Sequence, residues 1–162
     1  MIAIETQVPV FPEHEVLQLN IDLGALLGAI GEAVIVCDAK GAVVLWNRGA
    51  ERMFGYTEAE ALGGTLDMII PERLRKRHWD GYNKTMETGI TRYGNDLLRV
   101  PAVDKAGRAM SIAFTVAMLH GSDGKVTGIA SVIRDETARF AEERAQKKRL
   151  SELEVQLAAR EA

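Results

Sequence analysis

The spacing of apolar residues changes several times along this chain, and each change marks an element. Residues 1–22 carry Pro9 and Pro12 and then Glu13-His14-Glu15-Val16-Leu17, which reads as a loose arm leading into a short helix. Leu23, Leu26, Leu27 and Ile30 follow at three- and four-residue intervals. That spacing lines one face of a helix, which is expected to cover a sheet, with Gly31 as its end. Two short runs of strand formers come next, Ala33–Asp38 and Val43–Trp46, joined through Ala39-Lys40-Gly41 as a hairpin. Residues 47–62 read as short helices broken at Gly55. Thr57 and Glu60 form a capping box there, in which each side chain satisfies a backbone donor of the first turn. Residues 65–70 make another short helical turn.

Pro71 opens a longer helix that runs to about Thr88 and stops at Gly89, the proline-first, glycine-last order that backbone geometry favours. Residues 92–103, 110–119 and 126–134 are again rich in strand formers. They are separated by Asp104-Lys105-Ala106-Gly107 and Gly121-Ser122-Asp123-Gly124, both turn chemistry. From residue 138 to 162 there is no Gly or Pro, and Leu150, Leu153 and Leu157 repeat at three-four spacing among charges. This is a helix with a narrow apolar seam, about two heptads of a coiled coil. The order predicts an α+β domain: an antiparallel sheet with helices on one face, an N-terminal helical cap and a C-terminal coiled-coil helix. The expected division is an arm and cap helix over 1–24, the domain over 25–137 and the exit helix over 138–162.

Composition narrows the function. The chain has 162 residues, 47% apolar and 27% charged, enough for one domain and a tail with an ordinary core. A net charge of -3 speaks against nucleic acid as a partner, because that footprint is basic. No apolar run approaches the roughly 20 residues that span a bilayer. Met1 to Phe11 lacks the basic start and apolar block of a signal peptide, so the cytoplasm is the expected address. The single cysteine, Cys37, lies in an apolar run and reads as a small buried hydrophobe. His14 and His120 are isolated, Leu62-Gly63-Gly64 lacks the strand, lysine and spacing of a phosphate loop, and no serine sits in a nucleophile elbow. No constellation supports an enzyme.

Six short motifs stand in order: Asp38-Ala39-Lys40-Gly41, the block from Trp46-Asn47-Arg48 to Phe54-Gly55-Tyr56, Ile69-Ile70-Pro71-Glu72, Met86-Glu87-Thr88-Gly89, Asp104-Lys105-Ala106-Gly107 and Ile133-Arg134-Asp135-Glu136-Thr137. Together they resemble the PAS family over about residues 25–137. The last resembles the D-x-T element where PAS strands hand over to a signalling helix, and Asp135 or Thr137 can cap that helix. The resemblance implies a five-stranded antiparallel sheet with a ligand cavity between it and the helices. It also implies homodimerisation, here through the N-terminal helix and the C-terminal coiled coil, and a kinase, cyclase or transcription output downstream.

The cavity's occupant is tested residue by residue. Flavin-binding light sensors carry a G-x-N-C-R-F-L-Q block, and nothing like it occurs here, so no flavin is expected. The segment from Ile70 to Gly89 resembles the haem-binding PAS oxygen sensors of the FixL type. His78 falls seven residues after Pro71 and eleven before Gly89, the spacing of the proximal iron ligand in those sensors. Lys84 and Arg92 fall where haem propionates are met, and Tyr93, Leu98, Ser131 and Ile133 are the expected distal wall. Two features depart from the pattern. Trp79 intervenes before Asp80-Gly81-Tyr82, and aligning on that tripeptide instead would put Trp79 at the ligand position. The position of the oxygen-binding arginine holds Leu98, with Arg99 beside it, and one residue of slip along a strand exchanges the two faces. An apolar wall suits CO or NO better than oxygen. The competing readings are a solvated basic turn around His78, made by Arg73, Arg75, Lys76 and Arg77, and a cofactor-free dimerisation or small-metabolite module.

Overall fold

Alternation along the strands decides the architecture, because it gives the sheet one face that must be covered. The computed structural model describes residues 22–91 and 96–161. Its strands are β1 (Ala33–Asp38), β2 (Val43–Trp46), β3 (Leu98–Val103), β4 (Ala109–His120) and β5 (Val126–Asp135). They form one antiparallel sheet in the order β2-β1-β5-β4-β3. The helices are α1 (Leu23–Ala29), α2 (Arg48–Phe54), α3 (Glu58–Ala61), α4 (Glu72–Thr88) and α5 (Thr137–Glu161), with a 3-10 turn at Leu66–Met68. Among the described residues no helix is long and apolar enough to cross a membrane.

The register assigns each side chain to a face, since directly paired residues point the same way. One row across the sheet is Ala33, Ile133, Phe114 and Leu98; the next is Trp46, Ile35, Ser131 and Val116. These rows belong to the inner face, over which α2, α3 and α4 pack. Trp46, Phe54 and Val43 are its largest fully buried side chains, and the Trp46 and Phe54 rings lie 5.6 Å apart. Trp46 Nε1 donates to the Tyr56 carbonyl at 3.0 Å, so the indole is buried without an orphaned donor. Cys37 is buried on this face, and loss of hydration, reinforced by Asp38, pushes its thiol up to about 12; it behaves as an inert hydrophobe.

Asn47 joins the layers. Its Oδ1 accepts from Val34 N (2.8 Å) and Ala50 N (2.9 Å), and its Nδ2 donates to the carbonyls of Leu27 (3.0 Å) and Glu32 (3.1 Å). One buried amide therefore caps α2, grips β1 and holds α1, with all of its hydrogen-bonding capacity used. The Thr57–Glu60 capping box forms as the sequence predicts.

Three expectations are corrected. The apolar residues of α1 do not cover the sheet: α1 packs against α2, Leu23 and Leu26 stay exposed, and the helix ends at Ala29 rather than at Gly31. Seven residues cannot hold a docked helix by propensity alone, so its place follows from Asp22, which caps it, and from Asn47. Of the third strand, expected over 92–103, the described residues form Leu98–Val103, with Asp96 and Leu97 outside it. Residues 1–21 and 92–95, which include the expected arm and the start of that strand, lie outside the described residues.

At the other end, Asp135 Oδ1 accepts from Thr137 N at 2.8 Å and caps α5. Thr137 Oγ1 accepts from Ser111 N (3.0 Å) and Glu136 N donates to the Ser111 carbonyl (2.8 Å), so the start of α5 is tied to β4. Beyond it the helix stands free of the domain, with Leu150, Leu153 and Leu157 exposed.

Candidate functional site

The long helix α4 carries the candidate chemistry, and its ends are set by backbone geometry. Pro71 stands at the N-cap position, and Gly89 closes the helix at φ 66°, its N–H donating to Thr85 O at 2.9 Å. Between them Leu74, Arg75, His78, Trp79, Tyr82, Thr85 and Met86 are buried or half-buried, a stripe at three-four spacing that faces the sheet. His78 lies in the middle of that stripe. The solvated basic turn around it is therefore corrected: Arg73, Lys76 and Arg77 point to solvent, while His78 points inward.

The His78 Nε2 atom is buried and has no hydrogen-bond partner. Its ring meets Trp79 edge-on at 4.8 Å between centroids and lies 6.0 Å from Tyr82. Burial lowers its pKa, opposed by the nearby Asp67 carboxylate, which favours the neutral ring; with its proton on Nδ1, such a ring presents a lone pair at Nε2. Among the described residues no group of three or more His, Cys, Asp or Glu side chains converges. A single imidazole is a poor site for a bare ion, yet it suits an iron whose equatorial positions a macrocycle fills.

The neighbours of His78 are fixed from two sides. Trp79 Nε1 donates to Asp67 Oδ1 at 2.8 Å, and Arg75 donates through Nη2 to Asp67 O (3.0 Å) and through Nε to Ile70 O (3.2 Å). Tyr82 donates its hydroxyl to the Asp38 carbonyl at the end of β1. Burial, with Cys37 and Asp38 beside it, raises the Tyr82 phenol above its ordinary range, so it remains a donor.

Of the expected wall, Leu98, Ser131 and Ile133 all lie on the inner face, where Phe114 sits between Leu98 and Ile133 in register. The slip between Leu98 and Arg99 is resolved by pairing. Leu98 opposes Phe114 on the inner face, and Arg99 opposes Ala113 on the outer face, where its Nε donates to Glu136 Oε2 at 3.1 Å. Lys84 is exposed, about 120° around α4 from His78. Arg92 and Tyr93 lie outside the described residues.

Sequence reasoning did not find Asp67, Tyr82 or Phe114. Tyr82 was within reach, four residues after His78 on the same helical face. So was Phe114, by alternation along β4. Asp67 gave no signal, because its bond to Trp79 spans twelve residues and exists only in the folded chain.

The PAS domain profile matches residues 31–138, and the chain belongs to the PAS family. Sensor protein FixL of Bradyrhizobium diazoefficiens is 42% identical over 60 residues, which cover 37% of this chain and 12% of that protein. Oxygen sensor protein DosP of Escherichia coli is 28% identical over 100 residues, 62% of this chain and 12% of that protein. The chain thus matches only about an eighth of the length of these two relatives. An RNA-binding Light-Oxygen-Voltage receptor superposes with a TM-score of 0.68 at 19% identity, covering 90% of this chain and 41% of that one, a likeness of fold alone.

Proposed function

We propose that this chain is the sensory PAS module of a signal-transduction protein, that it holds haem b with His78 as the proximal iron ligand, and that it reports a diatomic gas or a redox state through α5. One observation carries the reading: the buried, neutral, unpartnered Nε2 of His78 on the inward face of α4. Leaving such a nitrogen unsatisfied costs about 1–3 kcal/mol, which a bond to iron would remove. The match to FixL and to an oxygen sensor supports it.

When bound, haem supplies a redox-active iron with a position open to a small gas. The chain's own part is to hold, exclude and select. His78 would hold the iron through its Nε2. Leu98, Ile133 and Phe114, with the Ser131 hydroxyl as the polar exception, form a wall that excludes water. Lys84, exposed on α4, and Arg92 are assigned to the propionates, since a solvated cation suits a solvated carboxylate, and Tyr93 is assigned to the distal wall. Arg99 is engaged by Glu136 on the far face, so this wall favours CO or NO over oxygen. The absence of a G-x-N-C-R-F-L-Q block speaks against flavin. The proposed division is a cap over 1–24, the sensor over 25–137 and a homodimeric signalling helix over 138–162, working in the cytoplasm on a kinase, cyclase or transcription output.

An absorption spectrum of protein expressed with haem precursor tests this. A Soret band that shifts on reduction and again under CO is expected, and it disappears in His78→Ala. A protein that stays colourless when haem is added overturns the reading. The alternative, a cofactor-free dimerisation or metabolite-binding module, is favoured by the exposed seam of Leu150, Leu153 and Leu157. In that case the chain stays colourless and truncation after residue 137 yields a monomer by sedimentation.

A further inference from the structure

Trp79 interrupts the family's motif beside the candidate ligand, and the structure gives it four partners. Its indole N–H donates to Asp67 Oδ1 at 2.8 Å. Its ring seats on the β1–β2 turn: a methyl group at Gly41, whose φ is 85°, would come within 2.5 Å of Trp79 Cζ3. It packs edge-to-face with the His78 ring at 4.8 Å and with the Tyr82 ring at 5.5 Å. Asp67 lies in the 3-10 turn that precedes α4, which Arg75 also grips through the Asp67 and Ile70 carbonyls.

We propose that Trp79 is a positioning residue for His78: by donating to Asp67 while its ring rests on Gly41, it fixes the middle of α4 and hence the plane of the His78 imidazole. The inference rests on the reading of His78 as the iron ligand. The physical case is geometric. A side chain held by one hydrogen bond to the 3-10 turn, one close contact on the β1–β2 turn and two ring neighbours on its own helix cannot change rotamer without giving up some of them. His78 itself has no bond at Nε2 to hold its ring, so the adjacent indole limits its rotation from one side and Tyr82 from the other. The intervening tryptophan thus supplies the outer support that a ligand imidazole ordinarily receives from a carboxylate or carbonyl.

Two substitutions at Asp67 separate positioning from mere stability. Asp67→Asn keeps an oxygen that accepts from Trp79 and loses the charge facing Arg75, a half-exposed pair at 4.0 Å. Asp67→Ala loses the acceptor as well. In the haem-loaded protein, transfer of haem to an excess of apomyoglobin is expected to be about tenfold faster in Asp67→Ala and in Trp79→Phe, and no faster still in the double variant, while Asp67→Asn stays near wild type. In protein without haem, the His78 ring resonances are expected to keep their wild-type shifts in Asp67→Asn and to move or broaden in Asp67→Ala. A colourless wild type would end the haem reading while the ring resonances still decide this one. If Asp67→Ala leaves both the haem transfer rate and the His78 resonances at their wild-type values, Trp79 does not position His78 and the proposal is overturned. Additive effects in the double variant would overturn it as well, since the two residues would then act separately.

Discussion

The two long helices of this chain make opposite use of similar material. Helix α4 has 17 residues and α5 has 25, and both are rich in charge. Helix α4 is docked: Arg75, Trp79 and Tyr82 each bond a different backbone or side-chain acceptor outside the helix, and Tyr82 is buried. Among the described residues helix α5 is fastened at its base, by the Asp135 cap, by the bonds of Thr137 and Glu136 to Ser111 and by the Glu136–Arg99 ion pair. Its Leu150, Leu153 and Leu157 remain 58, 47 and 58% exposed. An isolated helix in water is marginal, and an apolar seam left open is a surface awaiting another. The difference separates a helix whose side chains are spent on the domain from one whose apolar seam is left to solvent.

The comparison breaks most sharply at one residue on each helix. Tyr82→Ala is expected to cost about 3–5 kcal/mol, by analogy with other buried aromatics, and to lower the urea midpoint accordingly. Leu153→Lys on α5 should leave that midpoint within about 0.5 kcal/mol of wild type while weakening self-association in sedimentation. If Leu153→Lys destabilises the domain as Tyr82→Ala does, then α5 is docked too and the contrast fails.

A smaller effect probes the base of α5. Asp135→Ala removes the side-chain acceptor of the Thr137 N–H and is expected to cost about 1 kcal/mol, seen as faster hydrogen exchange in the first turns of α5. Exchange in α4 should not change. Equal acceleration in both helices would mean that they open as one unit.

The smallest effect is electrostatic and lies at α3. The Lys105 ammonium, together with the Thr57 backbone and hydroxyl, holds the Glu60 carboxyl at about 2, below its ordinary value of 4.5. A depressed carboxylate contributes stability above its unfolded pKa, and loses it as pH falls through the folded one. Wild type should therefore exceed Glu60→Gln slightly above about pH 4.5, and the gap should close toward pH 2. The gain is modest because the group is solvated. A gap that persists unchanged at pH 2 would show that packing, not charge, accounts for it.

Elements whose causes are local were legible in the sequence. Pro71 and Gly89 mark α4, Thr57 and Glu60 form their box, and Asp135 caps α5, because each of these signals acts within one turn of its own position. Alternation likewise defined the strands, and the row of motifs pointed to the family. The cover of the sheet by α1 failed for a reason of the same kind: apolar spacing says that a face wants burial, not which surface supplies it. The site was half legible. His78 could be named by its spacing, yet its burial, its unpartnered Nε2 and its fence of Trp79 and Tyr82 arise from contacts with Asp67, Asp38 and Gly41, which lie 11, 40 and 37 residues away in the chain. The choice between Leu98 and Arg99 shows the limit most plainly. In the sequence the motif position holds Leu98 with Arg99 one residue away, and only the pairing of β3 with β4 sends Leu98 to the inner face and Arg99 to Glu136, because register is a property of two strands together.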